Sequence, residues 1–188
     1  MTFLTDLWLP IVLAAVIVFF ASFILHMVVP LHKKDYAKLP NEDAVLAAMR
    51  SAGVKPGAYM FPHCESPKDW NTPEAIAKRE KGPLGMVTVL NGFNMGKSLV
   101  IWFIYSLLVG VFVAYVAWHS LALGATPGAV FRITGAAAIL GYALGFLHEM
   151  AWKGQSAGVT AKFVFGGIIY ALITAGTFAW LWPEAVVA

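Results

Sequence analysis

Apolar runs recur four times along the chain, at residues 7–29, 98–118, 129–152 and 163–182, and polar residues gather between them. The first is 23 residues without Asp, Glu, Lys or Arg. At about 1.5 Å per residue it covers the roughly 30 Å hydrocarbon core of a bilayer with some tilt to spare. Runs that are apolar on every face have no solvent-facing side, and lipid accepts them as helices that satisfy their own backbone. The pattern therefore predicts an all-α integral membrane protein with four transmembrane helices. The first run does not read as a cleaved leader: it lacks a basic n-region, follows Asp6, and exceeds the roughly 7–15 apolar residues such a segment uses.

Residues 31–97 break the pattern and predict a small insert between the first two spans, dividing the chain into 1–30, 31–97 and 98–188. The insert is short and poor in large apolar residues, so an independent core is not expected of it. Asn41 stands as an N-cap before Glu42 and Asp43, Val45, Leu46 and Met49 follow at helical spacing, and Gly53 supplies a stop. A second short helix starts with Thr72 as N-cap and Pro73 at its first position, and ends at Gly82-Pro83. Between and after them, residues 58–61 and 86–90 read as extended runs that could pair as a ribbon.

The spans also echo one another. A shift of 65 residues lays Lys97, Ile104, Tyr105, Leu107 and Ala114 on Lys162, Ile169, Tyr170, Leu172 and Ala179. A shift of 122 lays Ile11, Ala14, Ala15, Ala21, Leu25 and His26 on Ile133, Ala136, Ala137, Ala143, Leu147 and His148. The two shifts describe two repeated hairpins, the first with a turn 57 residues longer. Apolar helices share Ala, Leu and Ile by chance, so chance identity stands beside duplication as an explanation.

Composition agrees with the pattern: 60% of residues are hydrophobic and 12% charged, against about 45–50% and about 25% in soluble domains. This excludes a disordered tail, a disulfide scaffold and an ordinary cytosolic enzyme. The net charge of +3 is not a nucleic-acid signature, because the basic residues lie between apolar runs rather than along one folded face. They orient the chain instead. Ten of the 13 lie between residues 30 and 97, Lys153 and Lys162 flank the third connection, and only Arg132 falls near the other side. The positive-inside rule then makes the insert cytoplasmic and leaves both termini outside, in a bacterial-type plasma (inner) membrane. Trp8, Trp118, Trp180 and Trp182 would mark the outer interface, Trp102 and Trp152 the inner one. Lys33, Lys34 and Lys38, directly inside the first span, would anchor it to anionic lipid, at about 1 kcal/mol per cation.

Ionisable residues inside a membrane are costly and become candidates for function. His26 lies near the inner end of the first span, His148 and Glu149 near that of the third. Two histidines at one depth could ligate a haem iron or hold a metal with Glu149. The plainer reading leaves both histidines wet at headgroup depth and pairs Glu149 with Lys153 one turn on. Small residues recur at spacing four, Gly141 and Gly145 before Glu149 on the third helix and Gly167, Ala171 and Ala175 on the fourth, which predicts close packing of these two helices. Cys64, the single cysteine, adjoins His63 in the insert; without a second thiol it offers neither a disulfide nor a tetrahedral site. No phosphate loop, dinucleotide fingerprint, zinc-protease helix or nucleophile elbow is present. The leading expectation is a non-catalytic accessory or assembly subunit, associated with the lipid bilayer and with another membrane protein or further copies of itself. The alternatives are a haem- or metal-binding redox protein using His26 and His148, and a small transporter using Glu149.

Overall fold

The computed structural model describes residues 2–185. In chain order the elements are α1 (Thr2–Asp6), α2 (Trp8–Phe23) continued by a π-helical turn (Ile24–Val28), α3 (Glu42–Ser51), β1 (Gly57–Phe61), α4 (Pro73–Lys81), β2 (Gly85–Val89), α5 (Met95–Ser120), α6 (Pro127–Tyr142), α7 (Gly145–Lys153) and α8 (Ala157–Trp180). Four helical stretches are long and apolar enough to cross a membrane: Trp8–Val28, Met95–Ser120, Pro127–Lys153 and Ala157–Trp180. Their outward side chains include Phe20, Phe112, Leu140 and Trp180, all largely exposed. An apolar periphery of this kind suits lipid, where no polar coat is needed. The chain is a multi-pass membrane protein.

The four stretches form a bundle in which α2 packs on α5 and α8, and α6 on α5 and α8. The closest-knit pair is α6 with α8. Small and β-branched residues fill the centre: Ala14 and Val18 of α2, Val113 and Ala117 of α5, Val130 and Ala138 of α6, and Ala171 and Ala175 of α8, with Phe178 the largest side chain fully enclosed. In lipid the gain from such a core is close packing rather than escape from water, and small side chains bring the backbones within reach of one another. Helix starts are capped by hydroxyls: Thr126 Oγ1 accepts from the amide of Ala129, and Ser156 Oγ from that of Val159.

Two of the spans depart from the regular helices expected of them. The first widens at its exit into the π turn, where the amide of Val29 bonds five residues back to the carbonyl of Ile24. The third is interrupted after Tyr142, and its last segment, α7, begins afresh at Gly145. The amides of Ala143 and Leu144 both turn back to the carbonyl of Ile139, while those of Phe146 and Leu147 reach only three residues back. Polar backbone at membrane depth must be satisfied from elsewhere, and the hydroxyl of Tyr105 on α5 donates to the carbonyl of Gly141.

Residues Tyr36–Asn94 form a second compact unit. It is not wholly helical, so the all-α description needs amending: β1 and β2 pair antiparallel, with Gly57 opposite Val89 and Phe61 opposite Gly85. The helix α4 begins as its sequence predicts, with Thr72 Oγ1 accepting from the amide of Ala75. In α3, Asn41 occupies the N-cap position in a left-handed conformation, and its side chain makes no capping bond; its carbonyl accepts from Ala44 and Val45. No residue of this unit is buried.

Candidate functional site

A connected group of polar side chains in the membrane unit lies where the chain leaves the first span. The π turn carries His26. Its Nδ1 lies 2.9 Å from the carbonyl oxygen of Ser22, an atom that only accepts, so Nδ1 is the donor in this bond. The His26 ring stacks on His32 at 4.6 Å between centroids, with planes 11° apart. The other face of His32 meets Phe163 of α8, and Phe163 in turn stacks on Phe146 of α7. A file of four rings thus joins the end of the first span to α7 and α8.

His32 is fixed from its edge as well. Its Nδ1 lies 2.6 Å from Oδ2 of Asp35, whose side chain is only 1% exposed, and the other carboxylate oxygen is ion-paired with Lys162 of α8. Asp35 is covered by these immediate partners while lying at the edge of the molecule. The hydrogen bond from Lys162 holds its carboxyl below the usual value; desolvation opposes that shift, and the bond to His32 adds to it.

The sequence pairs His26 with His148; the structure stacks His26 on His32 instead, and His148 is exposed on α7. No hydrogen bond or ring contact joins His26 to His148 among the described residues. Imidazole lone pairs lie in the ring plane, so the nearly parallel planes of His26 and His32 do not converge on one ion as they stand. Among the described residues no group of three or more His, Cys, Asp or Glu side chains is placed to hold a metal. Glu149 bonds to Lys153 at 2.9 Å, the partner at spacing four. Lys33, Lys34 and Lys38 are exposed.

The packing residues divide. A Cβ on Gly167 would lie 2.8 Å from Cα of Ala143 and 2.7 Å from the carbonyl carbon of Tyr142, so this glycine is what lets α8 press against the interrupted third span. Ala171 and Ala175 are fully buried, and Gly135 of α6 is the close neighbour of Ala175. Gly141 and Gly145 do not join that contact as expected. Gly141 faces Val109 of α5, and Gly145, the first residue of α7, opens onto free space.

Sequence reasoning missed His32, Asp35, Lys162 and Phe163. The three-residue spacing from His32 to Asp35 is a usable signal, but it lies in a basic run whose topological meaning overshadows it. It also missed an aromatic group at the bundle's centre: Trp102 bonds to Ser22 Oγ at 2.9 Å and packs against Tyr105, Tyr142 and Tyr170. Trp102, partly buried against the core, thus links α5 to α2. In the second unit a cavity of about 180 Å³ is lined by His63, Cys64, Glu65, Asp69, Glu74 and Lys78 among others. Compared with family models, with curated proteins and with solved structures, the chain matches none.

Proposed function

We propose that this multi-pass membrane protein is a non-catalytic accessory or assembly subunit of a larger membrane complex. In this reading it lies in a bacterial-type plasma membrane, with Tyr36–Asn94 on the cytoplasmic side and both ends of the sequence outside. The observation that carries the reading is that no residue of Tyr36–Asn94 is buried. A two-stranded ribbon is marginal alone, and so is a ten-residue helix such as α3. The apolar positions of α3 at helical spacing, Val45 and Leu46, are both exposed, the form in which an amphipathic helix offers itself to a groove. A unit of this kind gains its order from what it docks against.

A photoreactive amino acid at Leu46, in the full chain in its own membranes, tests this. The expected result is one discrete adduct with a defined second protein that also co-purifies after mild solubilisation. Absence of an adduct, together with a monomer free of partners in several detergents, would overturn it.

A further inference from the structure

The two stacked imidazoles at the exit of the first span differ in what stands ready to balance a positive charge. His32 ends a 3-10 turn (Pro30–His32). Its side chain is only 13% exposed, so a proton on it must be met by neighbours rather than by water, and Oδ2 of Asp35 lies 2.6 Å from its Nδ1. Asp35 stays ionised while imidazoles titrate, because the hydrogen bond from Lys162 holds its carboxyl below the ordinary 3.8. His26 has only the carbonyl oxygen of Ser22 on its Nδ1, and no ion pair among the described residues brings it an anion. Both Nδ1 atoms face oxygens that only accept, so a further proton on either ring goes to Nε2.

The other charges around the pair do not supply the missing anion. From α8 comes Lys162, already ion-paired with Asp35. Lys33 and Lys34 follow His32 in the chain, and α5, which packs on α2, carries Lys97 in its first turn. On α7, Glu149 is bonded to Lys153, His148 brings no negative charge, and the helix meets the ring file through Phe146. One carboxylate thus serves both His32 and Lys162. A charged imidazole can lie on a neutral ring, as cations lie on aromatic faces. Two charged rings in contact repel, and groups coupled in this way take up their protons in separate steps.

We propose that the His26–His32 stack is a pH-sensitive clasp, closed while the pair carries no more than one added proton and opened when both rings are charged. Its position gives the opening a consequence. Asp35 is the last residue of the membrane unit and Tyr36 the first of the second unit, so the clasp lies on the tether that joins them. Closed, it holds the tether to α8 through the contact of His32 with Phe163 and the ion pair of Asp35 with Lys162. Open, it releases residues 30–35, which reach at most about 20 Å when extended. Ordinary imidazoles change charge between about pH 5 and pH 8, so mild acid is the signal. The device works whatever the second unit binds and does not rest on the accessory-subunit reading.

The test uses the full chain in nanodiscs, in a Cys64→Ser background, with nitroxides at Lys34→Cys beside the clasp and at Leu172→Cys on an exposed position of α8. Pulsed electron resonance reads the distance between the labels across the imidazole range. The distribution should be narrow near pH 8, and its mean should lengthen by about 5 Å or more by about pH 5. His26→Phe keeps a ring and His26→Gln keeps a polar side chain, and neither can take the second charge. In both, the distance should stay as it is near pH 8 down to about pH 5. A parent distance that does not change by about pH 5, or that lengthens only below it where carboxyls titrate, would overturn the proposal. Lengthening with acid in either variant would also overturn it, by removing the charge on His26 from the cause. If one variant is already long near pH 8, the other decides; if both are, the His26 ring holds the turn irrespective of charge and the proposal fails.

Discussion

At the scale of single residues, Asp35 ties the departing end of the first span to α8. Its carboxylate serves Lys162 on one oxygen and His32 on the other. Its carboxyl is held below the ordinary 3.8 by those partners, and a lowered folded value has a definite consequence for stability. The contribution is fully present above pH 3.8, where the carboxyl is ionised in both states, and it is lost as pH falls through the folded value. Thermal unfolding of the detergent-solubilised protein should therefore show a midpoint that falls more steeply below pH 3.8 in the wild type than in Asp35→Asn. At neutral pH the Asp35→Asn protein should melt lower, because Lys162 loses its counter-charge. Equal slopes in the two proteins would contradict the ion pair. The His26–His32 stack was not legible in the sequence for a related reason. It depends on how the chain turns between Val29 and Asp35, and spacing along one helix says nothing about a ring beyond its end.

At the scale of elements, the four spans were legible because apolar length alone decides what a bilayer accepts. The small-residue face of α8 was legible too, since Gly167, Ala171 and Ala175 recur on one side whatever partner they meet. The interruption of the third span was not. Its sequence, Gly141-Tyr142-Ala143-Leu144-Gly145, contains no proline, and the causes lie on other helices: Tyr105 satisfies a freed carbonyl from α5, and Gly167 admits the displaced backbone from α8. These roles separate two glycines. Gly167→Ala drives a Cβ into backbone that cannot move aside, which should cost about 1–3 kcal/mol, as overpacking does. Gly145→Ala meets no neighbour within 4 Å and should be neutral or stabilising by up to about 1 kcal/mol, since alanine favours helix. Unfolding in a titration of denaturing against mild detergent compares the two. A Gly167→Ala protein as stable as Gly145→Ala would remove the close approach from the explanation.

At the scale of the whole molecule, two units of different character share one chain. The bundle has a core of its own; Tyr36–Asn94 has none, and its exposed side chains include large apolar residues and charges of both signs. The proposed function joins them through topology: the spans hold the unit at the inner face of the membrane, where a partner subunit gives it order. That placement derives from the distribution of Lys and Arg, a signal about membrane insertion.

The single cysteine makes the placement directly measurable, because Cys64 lies within Tyr36–Asn94 and is partly exposed. Intact cells and inverted membrane vesicles would be treated with a membrane-impermeant maleimide. Cys64 should stay unlabelled in intact cells and react in inverted vesicles, and full reaction once detergent is added confirms that the thiol is accessible. Labelling in intact cells would put Tyr36–Asn94 outside and contradict the proposed topology and the assembly role built on it.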